Sequence, residues 1–224
     1  MIARASSIGS LHARGRGTYT GAVGRPDPAS RGHLPCPRVD WAGEKHMRIE
    51  WTSYQSPVGV LTILEAREGP LIVEFAERTG RLHLAERLRQ HAPGVVIDTG
   101  PCRQATSWLT AYFAGRPRPF PYPDYLTSYL SVSDSQAAVW RALTSIPFGE
   151  TRSYEDIATA TGIHPRAVGQ LNGSNHLAIL LPCHRVVGKD GGLVGYGGGL
   201  ETKAWLLDHE LRSVGLTLSA PPAY

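Results

Sequence analysis

The sequence predicts an α+β fold: a small N-terminal antiparallel sheet with helices, followed by a mainly helical domain that holds a helix-turn-helix-like segment. Three observations carry that reading. Between Met47 and Phe75 the chain runs in short stretches rich in β-branched and aromatic residues, bounded by Gly and Pro. From Ser133 onward, apolar residues recur at helical spacing behind capping residues. Between these regions lies a proline-rich stretch, Pro117 to Pro123, read as an interdomain linker.

At 224 residues and 42% hydrophobic content the chain can bury a core and suits two small domains. No apolar run approaches the ~18 residues that cross a bilayer, so a membrane role is not expected. Cys36, Cys102 and Cys183 show neither paired nor CxxC spacing, which fits reduced thiols and a cytoplasmic protein. The net charge of +4 would suggest attraction to nucleic acid, but its location undercuts that. Of 23 basic and 19 acidic residues, seven and three lie in residues 1–46, so the rest of the chain holds 16 of each. Any nucleic-acid contact must come from local placement of charge.

Residues 1–46 are rich in Gly, Ser, Pro and Arg with no hydrophobic period, so they cannot offset their ordering entropy and are read as a disordered tail. Their composition can mimic a transit peptide; an over-extended reading frame whose true start is Met47 is favoured. His33 and Cys36 fall here, with too few neighbours at ligand spacing for a metal. An N-terminal α/β domain and linker are expected over 47–123. Its strands are Ile49 to Tyr54, Val60 to Leu64 after the turn Ser56-Pro57-Val58-Gly59, and Leu71 to Phe75. Helices are expected over Leu82 to His91 and Gln104 to Ala114, the second ended by Gly115. Cys102, isolated between Pro101 and Arg103, is read as structural or incidental, and no catalytic constellation stands out in this half.

A second domain is expected over 124–215. Ser133-Asp134-Ser135 supplies an N-cap for a helix whose Val139, Leu143 and Ile146 share a face, ended by Pro147-Phe148-Gly149. Ser153-Tyr154-Glu155-Asp156 reads as a capping box opening a helix that runs to Gly162. His164-Pro165 opens another, with Pro at the first helical position, that ends at Gly173. Two short helices joined by a tight turn make a helix-turn-helix candidate; a plain structural αα-hairpin is the commoner outcome for an arbitrary match. Leu200 to about Leu211 is the last helix, and residues 216–224 are read as a frayed tail.

The stretch with chemical character is Ala178 to Val187, an apolar run read as a buried extended segment that delivers Cys183 beside His184. Pro182 fixes its own φ and biases Leu181, so the thiol has a held position. Cysteine attacks as thiolate, and a nearby imidazole can take its proton directly or through one water; the blander alternative is a small buried hydrophobe. Gly195-Tyr196-Gly197-Gly198-Gly199 follows, where glycines let backbone approach a ligand. Gly195-x-Gly197 is not a dinucleotide fingerprint, since the third position is Leu200. On the last helix Lys203, Leu207 and Glu210 stand at i, i+4, i+7. They are either a solvated flank or a pair turned inward, with Glu210 orienting His184 and Lys203 reaching into the site.

Pro182-Cys183-His184-Arg185-Val186, preceded by the helix-turn-helix-like segment and followed by the glycine loop and Glu210, resembles the O6-alkylguanine-DNA alkyltransferase (methylated-DNA-[protein]-cysteine S-methyltransferase) family, bacterial type. The likeness is strong from Ser135 to Leu211 and weaker from Met47 to Phe113. It implies a ribonuclease-H-like N-terminal domain, and DNA repair by single-turnover transfer of a methyl or larger alkyl group from O6-alkylguanine to Cys183, with O4-alkylthymine as a further candidate substrate. By the same resemblance His184 removes the thiol proton through a bridging water and Glu210 stabilises the imidazolium. Tyr154 offers its hydroxyl proton to guanine N3 and helps rotate the nucleotide, with Lys203 adjusting that hydroxyl. The carbonyls of Cys183 and Val186 accept from the exocyclic amine, Tyr196 and Gly197 line the substrate, and the Gly197 N–H faces O6. Asn175 is the hinge that holds the nucleophile's turn. Arg166 fills the gap left by the extruded base, and the second helix enters the minor groove of double-stranded DNA. The resemblance implies no cofactor and no metal, and a monomer.

The residues make the same chemistry reasonable. A thiolate is the protein's best soft nucleophile for an alkyl carbon, and the resulting thioether is not hydrolysed, so each molecule would act once. Two departures from the family pattern stand out: the turn before Arg166 is two residues shorter than in many members, and His176 replaces the usual proline after the asparagine. Glu155 and Asp156 beside Tyr154 would also repel phosphate unless they face away. The competing readings are a non-catalytic alkyltransferase-like lesion-binding protein, opposed by the presence of Cys183, and a cysteine hydrolase, opposed by the adjacency of Cys183 and His184.

Overall fold

Strand β1 (Arg48–Ser56) pairs antiparallel with β2 (Gly59–Ala66), which pairs antiparallel with β3 (Pro70–Phe75), as the alternating β-rich runs require. The Ser56 hydroxyl closes the hairpin, donating to the Gly59 carbonyl at 2.6 Å, and Gly59 takes φ 108°, which a side chain would resist. The computed structural model describes residues 48–76, 88 and 95–216. The expected tail over 1–46, with His33 and Cys36, and residues 217–224 lie outside them, as does the expected helix Leu82 to His91 apart from Leu88, which is helical and buried.

A fourth strand, β4 (Val96–Thr99), runs parallel to β1 and gives the order β3-β2-β1-β4. The sheet is therefore mixed rather than antiparallel. Four residues are too short for an alternation to register in the sequence, and β4 is chosen by pairing with the free edge of β1.

Helix α1 (Arg103–Phe113) lies against the sheet and is held at its N-terminus by two carboxylates from the strands. Glu65 Oε1 and Oε2 accept the N–H groups of Gln104 and Ala105 at 3.1 and 2.7 Å, and Glu50 accepts that of Cys102 at 3.0 Å. These satisfy orphan donors and oppose the positive helix end. Cys102 is fully buried, and burial together with Glu65 and Glu50 pushes its thiol to about 12, so it is inert. Glu65→Ala, which takes the acceptor from the buried Ala105 N–H and the half-buried Gln104 N–H, is expected to cost about 2–3 kcal/mol. Urea unfolding checks it; an unchanged midpoint would show the caps to be dispensable.

After the proline-rich stretch comes a short helix that the sequence reading did not contain, α2 (Leu126–Leu130). Three helices follow where the capping signals put them: α3 (Asp134–Thr144), α4 (Tyr154–Thr161) and α5 (Pro165–Gly173). Ser133 with Gln136, and Ser153 with Asp156, form reciprocal capping boxes. Gly162 ends α4 at φ 70°, and the His164 ring Nδ1 accepts the Arg166 N–H at 3.3 Å. Trp140, fully buried on α3, donates its indole N–H to the Leu171 carbonyl at 2.9 Å and locks α3 to α5.

The run Ala178 to Val187 is buried but not extended, which corrects the expectation. Val73 of β3 clamps its start, donating to His176 O at 2.7 Å and accepting from Ala178 N at 2.9 Å. Two three-residue turns follow. Leu180 N bonds Ala178 O at 2.9 Å around Ile179, and Cys183 N bonds Leu181 O at 2.8 Å around Pro182 (φ −80°, ψ 62°). Ile179 sits at φ 72°, a strained conformation for a β-branched residue, kept by its surroundings. Apolar content reported burial; the turns come from Pro182 and the clamp on β3. A single 3₁₀ turn, Cys183–Arg185, leads into β6 (Val186–Val187), which pairs in parallel with β5 (Arg152–Ser153). Helix α6 (Leu200–Ser213) closes the described chain. The buried apolar residues form one cluster running from Ile49 to Leu206. Among the described residues no helix is long and apolar enough to cross a membrane.

Candidate active site

A cavity of about 900 Å³ opens between the start of α4, α5, the Cys183 turn and the glycine loop. Tyr154, Asn175, Cys183, Tyr196 and Gly197 line it, and β3 adds Phe75. The Phe75 ring lies edge-on to Tyr196 at 5.8 Å and presses on Gly198, where a Cβ would sit 2.6 Å from it. Only glycine permits that approach.

The expected hinge and nucleophile meet. Asn175 Nδ2 donates to Leu181 O at 2.8 Å and to Cys183 Sγ at 3.1 Å, while its Oδ1 accepts the Leu177 N–H at 2.9 Å. Asn175 thus touches the thiol itself as well as the turn. Burial raises the Cys183 thiol above its ordinary value; the Asn175 amide and the Lys203 charge oppose that. At neutral pH the thiol needs a base.

A candidate base is adjacent. His184 is fully buried, with Nε2 2.6 Å from Glu210 Oε1. Burial lowers its proton affinity although Glu210 supports the charge, so the imidazole is neutral at pH 7. Burial alone would raise Glu210, but His184, Arg185 and the Gly149 N–H hold it down to about 2. Glu210 is therefore an acceptor only, and the imidazole proton lies on Nε2. Nδ1 carries the free lone pair and meets no protein hydrogen-bond partner among the described residues.

Lys203 and Glu210 both turn inward and are fully buried, which excludes the solvated flank. Lys203 Nζ donates to the carbonyls of Val186 at 2.6 Å and Val194 at 2.7 Å; burial lowers it to about 8, opposed by Cys183. Lys203 and the Tyr154 hydroxyl share an acceptor, since Tyr154 OH donates to the same Val194 carbonyl at 3.5 Å. The Val186 carbonyl is likewise engaged by Lys203. Tyr154 is half-buried, and burial with the nearby Cys183 raises its hydroxyl. Arg166 is exposed on the first turn of α5. The two acids beside Tyr154 are engaged elsewhere: Glu155 pairs with Lys189 at 2.8 Å, and Asp156 caps Ser153.

Three contributors were missed. Arg185 Nε lies 2.9 and 3.1 Å from the Glu210 oxygens, and its Nη1 donates to Ile146 O at 2.6 Å. An Arg inside an apolar run needs a carboxylate, a signal available in the sequence. Asn172, buried on α5, donates to the Cys183 carbonyl at 3.4 Å. Tyr112, on α1, donates to Glu210 Oε1 at 2.9 Å. It stands 98 residues from Glu210, and nothing local announces it.

Comparison with known proteins accords with this geometry. Residues 49–123 match the family described as "6-O-methylguanine DNA methyltransferase, ribonuclease-like domain", and residues 134–212 match its DNA binding domain. The chain is 44% identical over 168 residues to the methylated-DNA--protein-cysteine methyltransferase of Mycobacterium leprae, covering 74% of this chain and 94% of that one. Among solved structures it is similar to Mycobacterium tuberculosis O6-methylguanine methyltransferase, with a TM-score of 0.61, 36% identity and coverage of 78% and 96%. It is also similar to Mycobacterium tuberculosis OGT in complex with DNA, with a TM-score of 0.61, 38% identity and coverage of 73% and 94%.

Proposed function

The chain belongs to the 6-O-methylguanine DNA methyltransferase family and acts in DNA repair by alkyl transfer to a cysteine; we propose that Cys183 is that cysteine and O6-alkylguanine in duplex DNA the donor. The observation that supports this assignment is the Cys183 thiol on the wall of the cavity, gripped by Asn175 and followed directly by a neutral imidazole tied to an ionised carboxylate.

The steps balance without a cofactor. His184 Nδ1 takes the thiol proton through a water, and Glu210 supports the imidazolium. The thiolate attacks the alkyl carbon, the S–C bond forms, the C–O6 bond breaks, and its electron pair goes to the purine. Tyr154 lends a proton to N3, which the proton held on His184 replaces, so one proton moves in net from thiol to base. The base reaches the cavity by leaving the stack, at a cost of a few kcal/mol. Arg166, exposed on α5, fills the gap from the minor-groove side. Lys189 offsets the charge of Glu155, and Asp156 is turned back onto Ser153, which lessens their repulsion of phosphate. A monomer in the cytoplasm suffices for this work.

The test is stoichiometry and location. Incubated with excess O6-methylguanine duplex, the full chain is expected to gain 1 methyl group per active molecule and then stop, because a thioether has no leaving path at neutral pH. Peptide mass analysis should place it on Cys183. Multiple turnovers, or the label on Cys36 or Cys102, would reject the proposal.

A further inference from the structure

Tyr112 comes from the half of the chain in which no chemistry was expected, yet its hydroxyl ends against the imidazole–carboxylate pair. It lies 2.9 Å from Glu210 Oε1 and 3.4 Å from His184 Nε2. We propose that Tyr112 is a positioning residue for the transfer reaction, its hydroxyl donating to Glu210 Oε1 and thereby tuning the basicity of His184. The inference rests on the reading of the site given above.

Donor counting carries it. Glu210 Oε1 faces Tyr112 OH, His184 Nε2 and Arg185 Nε, while Oε2 faces Arg185 Nε and the Gly149 N–H. An ionised carboxylate only accepts. Nε2, 2.6 Å from that acceptor, must therefore be the protonated nitrogen, and Tyr112, with its one proton spent on Oε1, is a second donor to the same oxygen. Nδ1, the nitrogen left with a lone pair, is then the base. Each donor on Oε1 also draws charge away from it and weakens its hold on an imidazolium. Removing the Tyr112 hydroxyl should make His184 more basic.

Packing keeps the hydroxyl there. The Tyr112 ring meets Phe148 edge-on at 5.7 Å and His209 at 5.4 Å, and its backbone carbonyl faces His209 Nε2 at 3.0 Å. The other titratable or charged groups around His184 are Cys183 and Arg185 on its own turn, Lys203 and Glu210 on α6, and Tyr196 in the glycine loop. Tyr112 is the group that α1 adds to this set.

The experiment is the pH profile of single-turnover methyl transfer from an O6-methylguanine duplex, from pH 4.5 to 8.5. It compares the wild-type chain, Tyr112→Phe, and a chain carrying 3,5-difluorotyrosine at position 112, a stronger donor of the same shape. In Tyr112→Phe the acid limb should move up by about half a pH unit, the rate at the foot of the limb should fall about threefold, and the plateau should stay within about twofold. In the difluorotyrosine chain the limb should move down. Opposite shifts support the role, since loss of packing alone moves neither limb. An unmoved limb in both chains, with any uniform loss of rate, overturns it. Should Tyr112→Phe fail to fold, the difluorotyrosine chain, which keeps ring and hydroxyl, decides alone. A wild-type chain that transfers nothing to Cys183 overturns instead the functional reading beneath it.

Discussion

Cys183→Ala is expected to transfer no alkyl group while still binding an O6-methylguanine duplex. The substitution removes the proposed nucleophile and little else. The thiol is buried and small, Asn175 keeps its bonds to Leu181 and Leu177, and the Asn172 contact goes to the backbone carbonyl of residue 183, which alanine retains. The exposed Arg166 and half-buried Tyr154 stand on α5 and α4, outside the turn. Transfer measured by methyl loss from DNA should fall below detection, at least about 10⁴-fold, since neither His184 nor buried Cys102 can replace a thiolate here. Affinity for the duplex, measured by anisotropy, should stay within about threefold. Residual transfer would move the acceptor elsewhere; loss of binding together with transfer would mean that the side chain supports the fold.

Glu210→Gln should be the most damaging single change to stability. The carboxylate receives Arg185, His184, Tyr112 and Gly149 in a site closed to water. A neutral amide leaves Arg185 uncompensated and turns an NH₂ toward one of those donors, a change that typically costs about 3–5 kcal/mol. The sign of the pH dependence follows from the depressed carboxyl. Its folded value of about 2 lies below the ordinary 4.5, so its contribution is present in full above about pH 4.5. It is lost as pH falls towards 2, and amounts to about 3 kcal/mol at 1.36 kcal/mol per unit. The stability gap between wild type and Glu210→Gln, from urea unfolding at several pH values, should therefore narrow below pH 4.5. Parallel curves would mean that the folded carboxyl is not held ionised. The transfer rate at pH 7 should drop about 10³-fold, because the imidazolium formed on proton transfer loses its counter-charge.

Much of the machinery was legible because its determinants are short-range. A capping box is a matter of three residues, so Ser133 with Gln136 and Ser153 with Asp156 could be read directly, as could His164-Pro165 opening α5 and Gly162 closing α4. Helical spacing likewise put Lys203 and Glu210 on one face, and adjacency put Cys183 beside His184. What those side chains touch was decided by packing. Lys203 found the Val186 and Val194 carbonyls, the second shared with the Tyr154 hydroxyl, and no local pattern encodes a loop's carbonyl directions. The Cys183 turn took a left-handed Ile179, a conformation its own preferences oppose, because β3 clamps one end and Pro182 bends the other. Strand β4 exists only as the partner of β1. Tyr112 joined Glu210 across 98 residues because α1, capped from the sheet by Glu65, is aimed into the site by the same core that buries α6. By itself the sequence determined the capped starts of three helices and the adjacency of Cys183 to His184. Only the tertiary structure decided which donors converge on Glu210, since that choice depends on the directions of groups brought together from distant segments.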